Sequence, residues 1–209
     1  MNNKKHNDLP DNSENIFSEG IHICHIYNDD NERARTMAKF FEKGLAEGNK
    51  ILCIVDTASP SDIKGELVNL GVDANLLESD FVTLDNDSAY NPNGIFDPDS
   101  VLKNIGFFVN QARQNGYKGL HVSGDMAWVL RGKIRPRLLM EYETKVLDYQ
   151  KLTPCTAICE YDARKFKGGL IMDILSVHPV ILVRGQIVQN PYFISPKEFM
   201  KQYDARQVQ

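Results

Sequence analysis

No apolar run in the 209-residue sequence approaches the roughly 20 residues a membrane-spanning helix needs. The opening MNNKKHNDLPDNSEN has no hydrophobic core, which argues against secretion by a signal peptide. The expected location is therefore the cytoplasm, with no membrane contact. There is no excess of positive charge either. A formal net charge of −4 gives no global field for nucleic acid or anionic lipid, and with no nucleic-acid motif, DNA binding by this chain alone is not expected. No CxxC pair occurs among Cys24, Cys53, Cys155 and Cys159, all in apolar, strand-like runs. If that segment is extended, Cys155 and Cys159 lie about 13 Å apart, too far to bridge. The thiols read as reduced, small hydrophobes. A zinc site built with His22, His25 or His121 finds no metal-ligand spacing, so no metal or cofactor is assigned.

What is present is alternation. IHICHIY (21–27) reads as a strand, and residues 30–47 as a helix with Ala34, Met37, Ala38, Phe41 and Leu45 on one side. KILCIVD (50–56) is apolar enough for a strand buried on both faces. Ser59-Pro60-Ser61-Asp62 and Asp97-Pro98 open helices, with a cap followed by proline in the first turn. FVTLD (81–85), KGLHVSG (118–124), PCTAICEY (154–161) and PVILVRG (179–185) read as further strands, and 86–96 as a long turn-rich loop. Helices are expected over about 135–149 and 168–177, and from Ser195-Pro196 onward. Strand-helix alternation predicts an α/β fold: a mostly parallel central sheet with helices on both faces. Residues 1–19 read as a disordered leader, 20–194 as the α/β domain and 195–209 as a helical tail.

Sheets of this kind bind ligands beyond the carboxyl ends of their strands. The first such loop is Asn28-Asp29-Asp30-Asn31. It has neither G-x-x-x-x-G-K-[ST] nor G-x-G-x-x-G, and its acids would repel a triphosphate. Asp29 suits a helix cap, with Glu32 spaced as in a capping box, and acids in a first turn match the helix dipole.

Several segments in order, HICHIY, FFEKGLAEGNKILCIVD, GLHVSGDMAWVL, LLMEYETKV, AICEYDARKF, DILSVHPVILVRG and NPYF, resemble the methanogen/methylotroph sensory (MEDS) domain. The resemblance covers about residues 20–194. It implies a RecA-like fold related to clock-protein ATPases, with the P-loop lost. It also implies a non-catalytic sensory role in signal transduction, including transcription regulation, with a small hydrocarbon derivative as proposed ligand. His22, Tyr27, Asp56, Gly124, Met126, Trp128, Glu141-Tyr142-Glu143, Cys159, Tyr161, Asp162, His178-Pro179 and Asn190-Pro191-Tyr192 match the family's segments. Asp125 departs from the glutamate expected there, shortening the carboxylate's reach by a methylene. The flanks carry no output motif. A signal is therefore expected to pass to a separate kinase or regulator, or through self-association.

The candidate ligand-binding residues are Tyr27, Asp56, Asp125, Met126, Trp128, Tyr161 and Asp162, all at or just after expected strand ends. The tyrosines, Met126 and Trp128 can wall an apolar cavity. The aspartates can orient a ligand or cap the next helix, and no catalytic residue is assigned. His22 lies near the start of its strand, away from this edge, and His178, before a proline, reads as structural. Arg131, Lys133, Arg135 and Arg137 read as a solvated basic loop. Two other readings stand beside the sensory one: residual nucleotide binding or hydrolysis, and a structural scaffold for a regulator.

Overall fold

The structure, a computed structural model, describes residues 20–207 apart from 57, 58, 93, 132, 133 and 154. The expected leader and Lys133 lie outside the described residues. Strands β1 (His22–Tyr27), β2 (Lys50–Val55), β3 (Phe81–Asp85), β4 (Leu120–Asp125), β5 (Thr156–Asp162), β6 (Val180–Val183) and β7 (Gln186–Gln189) form a seven-stranded sheet. Its order is β3-β2-β4-β5-β1-β6-β7, and every neighbouring pair is parallel except β6 with β7. The central strands are covered on both sides, which is why they read as near-continuous apolar runs.

Helices α1 (Asp30–Ala46), α2 (Pro60–Asn69) and α3 (Ala74–Ser79) cover one face, where Phe40, Phe41, Leu67 and Leu77 meet Ile23, Ile51 and Ile158. Helices α4 (Asn86–Tyr90), α5 (Pro98–Gln114), α6 (Pro136–Leu152), α7 (Gly168–Ser176) and α8 (Pro196–Gln207) cover the other, over Leu52, Ile54, Val122 and Cys159. The caps are those the sequence suggests. Asp29 Oδ1 accepts from the Glu32 N–H at 2.7 Å, and Ser59 Oγ from the Asp62 N–H at 3.1 Å, with Pro60 beginning α2. Glu32 Oε1 is buried without a hydrogen-bond partner, so that oxygen does not complete a capping box.

Three elements differ from the expectation. The segment 86–96 is not all loop, because the Asp85 carboxylate accepts from the Ser88 N–H at 2.8 Å and starts α4. Asp73 does the same for α3, accepting from the Asn75 N–H at 2.8 Å. The last predicted strand, 179–185, ends at Val183. Arg184 and Gly185, with φ of 51° and 70°, make a two-residue hairpin turn into β7. QIVQ is short and half polar, as an edge strand tends to be. Among the described residues, no helix is long and apolar enough to cross a membrane.

Candidate functional site

At the carboxyl edge, on the α1 face, the acids are answered by arginine. Arg33, in the first turns of α1, places Nε 2.7 Å from Glu160 Oε2 and Nη2 3.7 Å from Asp125 Oδ2. Its guanidinium lies over the Tyr27 ring, 5.6 Å from the centroid. Glu160 is 2% exposed. Burial and the Glu160 charge push the Asp125 carboxyl up, against the pull of Arg33. Burial also raises the Tyr27 phenol.

The other acids are neutralised in the same way. Asp162 is clasped by Arg164 through Nε and Nη2, both at 2.8 Å, which holds its carboxyl below the usual range. The same guanidinium reaches Asp30 of the first loop at 2.5 Å. Asp56 pairs with Arg131 and accepts from Asn86 Nδ2 at 3.0 Å. The basic run is thus only partly a solvated loop: Arg131 holds Asp56, and Arg137 bonds Asp204 at 2.8 Å.

Met126 and Trp128 belong to a different environment, on the α5/α6 face. A 3-10 turn, Met126–Arg131, carries Trp128 into a box of rings. Tyr90 stacks on it at 4.7 Å, Phe96 meets it edge-on at 5.0 Å, and Tyr142 packs edge-on against both Tyr90 and Phe96. Trp128 is 4% exposed, and its indole N–H has no hydrogen-bond partner. The Tyr90 hydroxyl points to Met126 Sδ, 3.8 Å away. Outside the box lies a groove of about 530 Å³ lined by Asp87, Asn91, Ile95, Phe96, Ile134 and Leu138.

The sequence-derived candidates therefore do not surround one cavity. The cause is register. Tyr27 pairs with Asp162 and Ile26 with Tyr161, so the two strand-end tyrosines are offset by one residue and face opposite sides of the sheet. Tyr27 and Asp125 lie under α1 in the Arg33 network; Met126, Trp128 and Tyr161 lie under α5 and α6. Another hollow at this edge, about 820 Å³ between α1 and the β6–β7 hairpin, is lined by Glu32, Arg35, Lys39, Arg184 and Ile187, and by none of the candidates.

Tyr161 leads to residues that sequence reading left aside. Its hydroxyl donates to Glu143 Oε1 at 2.6 Å. Glu143, fully buried on α6, has its other oxygen 3.4 Å from His22 Nε2 and 3.5 Å from His178 Nε2. His22 Nε2 is 3.3 Å from Cys159 Sγ. The donor atoms of His22, Glu143, Cys159 and His178 all lie within 4.8 Å of one another, a set that can hold a metal ion. Burial raises the Glu143 carboxyl to about 7 and the Cys159 thiol well above its ordinary value. No local spacing announces this set, because its members come from β1, α6, β5 and the segment after α7. The available signal was that each lies in one of the segments carrying the family resemblance.

The family model for the MEDS domain, described as methanogen/methylotroph, DcmR sensory domain, matches residues 21–179. Among solved structures, a KaiC-like protein from the hyperthermophilic archaeon Pyrococcus horikoshii is similar over 80% of this chain and 72% of that one. The TM-score is 0.55 at 16% identity, a likeness of fold, and the fold is RecA-like. No curated protein matched the sequence. With the family model spanning both faces of the sheet and most of its strands, this chain belongs to the MEDS sensory-domain family.

Proposed function

We propose that this domain senses a small, uncharged organic molecule at the aromatic box around Trp128 and passes the event to a separate protein. The observation that carries the reading is Phe96, which both lines the outer groove and packs on Trp128, whose buried indole N–H has no hydrogen-bond partner. A guest that displaced Phe96 would meet aromatic faces and one free donor. Apolar burial at about 25 cal/mol per Å² would supply affinity, and the donor would favour a guest with an oxygen or halogen acceptor. Tyr142 joins the box to α6, so a shifted ring could move that helix, as a population shift requires.

The acidic first loop and the arginine-neutralised carboxyl edge support an uncharged guest over a nucleotide. Asp29 is engaged in capping α1, and Arg33 is held by Glu160 and Asp125 rather than free to meet a phosphate.

Trp128 is the only tryptophan in the chain, so its fluorescence reports this site alone. Titration with short alcohols, ketones, halogenated methanes and small aromatics should shift its emission for compounds that calorimetry shows to bind, and Phe96→Ala should change that affinity. Calorimetric binding without a Trp128 response and indifferent to Phe96→Ala would put the ligand elsewhere, the α1–hairpin hollow being the next place to test. ATP, with or without magnesium, should leave the melting temperature unmoved.

A further inference from the structure

His22, Glu143, Cys159 and His178 are brought together from positions as far apart in the chain as β1 and the residue before Pro179, and all are buried. We infer that these side chains form a four-ligand zinc site. The inference is independent of the sensory reading and of any organic ligand.

The hydrogen bonding leaves room for a cation there. His178 Nδ1 lies 2.8 Å from the Ile174 carbonyl oxygen, which can only accept, so Nδ1 carries the proton. In a neutral imidazole, Nε2 is then a lone pair. That lone pair stands 3.5 Å from Glu143 Oε2, another acceptor, and neither atom has a hydrogen-bond partner. Two acceptors facing each other in a dry interior, each costing about 1–3 kcal/mol if left unsatisfied, are satisfied either by a proton shared between them or by a metal ion, and the positions of the other two donors favour the ion. The Tyr161 hydroxyl occupies Glu143 Oε1 and leaves Oε2 to the cluster. A histidine anchored by Nδ1–H to a carbonyl, with Nε2 pointing into the cluster, is how protein scaffolds orient a metal-binding imidazole.

The spacing fits zinc. Bonds of about 2.0–2.3 Å at tetrahedral angles put neighbouring ligand atoms about 3.3–3.6 Å apart. The separations of His22 Nε2 from Cys159 Sγ and Glu143 Oε2, and of His178 Nε2 from Glu143 Oε2, are 3.3, 3.4 and 3.5 Å. The remaining pairs are within 4.8 Å. The donors are two imidazole nitrogens, a thiolate and a carboxylate oxygen, a set suited to zinc rather than to magnesium or calcium. The two anionic donors neutralise the ion, so the buried centre carries no net charge. Binding releases the Cys159 thiol proton, and the proton of any protonated Glu143, to solvent. With four protein ligands and all four buried, the site is closed, as structural zinc sites are. It ties α6 to β1, β5 and the chain entering β6.

The test uses the full chain, purified without chelators. Metal analysis should find about one zinc per chain. After refolding with cobalt(II), the protein should show tetrahedral ligand-field bands and a thiolate-to-cobalt charge-transfer band. Cys159→Ser should abolish the charge-transfer band, and Cys53→Ser, on the other face of the sheet, should keep it. His178→Gln should weaken zinc by more than the about 10–100-fold that loss of a supporting group costs. If the variants do not fold, the wild-type cobalt spectrum decides. Folded wild-type protein without metal and without a sulfur band on cobalt loading would overturn the site, leaving a proton shared between Glu143 and His178. A band that survives Cys159→Ser would overturn it equally.

Discussion

Arg33 is the residue on which the character of the carboxyl edge turns. In the sequence it is one more charge in an amphipathic helix, and nothing in its spacing says that it reaches strands β4 and β5. In the fold it stands between Glu160, 2% exposed, and Asp125, and lies over Tyr27. Removing one partner of a buried pair leaves the other charge uncompensated, at about 3–5 kcal/mol. Arg33 is itself 32% exposed, so solvent screening moves its case to the low end of that range. Arg33→Ala should therefore lower stability by about 3 kcal/mol in urea unfolding, and the double variant Arg33→Ala with Glu160→Gln should recover most of the loss. A single variant costing no more than an exposed ion pair, about 0–1 kcal/mol, would show that the edge is open to water.

At the scale of elements, most of the fold was legible and register was not. Caps, helical spacing and apolar runs located β1 through β6 and the long helices, because each signal is local. The short helices α3 and α4 escaped, since one or two turns give little periodicity and their start depends on Asp73 and Asp85 used as caps. The site escaped for a deeper reason. Whether Tyr27 and Tyr161 share a face depends on which residues pair across β1 and β5, a long-range fact. Gly124 shows the same dependence. It reads as the end of a strand, yet a Cβ there would clash with the hydroxyl of Tyr90, which is only 2% exposed. Gly124→Ala should destabilise by about 1–3 kcal/mol through overpacking and disturb the Trp128 emission. Gly65, inside α2 with nothing within 4 Å of its would-be Cβ, gives the contrasting case. Gly65→Ala should stabilise by about 0.5–1 kcal/mol, since only helix propensity changes. Equal effects at the two positions would mean that Tyr90 does not pack on β4.

For the molecule as a whole, the layer under α1 contributes to an acid limit on stability, as do the buried His22 and His178 on the other face, which burial also lowers. His25 and His121 are buried beneath that helix with neither ring nitrogen hydrogen-bonded. His25 faces Arg33, Glu32 and the Tyr27 ring; His121 faces the Phe40 ring at 5.1 Å and feels Lys43. Burial, helped by these cations, lowers each from 6.5 to about 4. Both are neutral in the folded chain near neutrality, while in the unfolded chain they charge near pH 6.5. As pH falls below 6.5 the unfolded state takes up protons that the folded state refuses. Stability is therefore lost between about pH 6.5 and 4, and restored on returning to neutrality. A depression of about 2.5 units corresponds to about 3 kcal/mol per histidine once pH 4 is reached. His121→Leu keeps an apolar side chain against Phe40 and removes one of these protonations. The urea midpoint of the variant should fall less steeply from pH 6.5 to 4.5 than that of the unaltered protein, whatever the two stabilities are at pH 7. Parallel curves, or a folded-state imidazole resonance for His121 titrating near pH 6.5, would show that water reaches the ring and that the acid limit lies elsewhere.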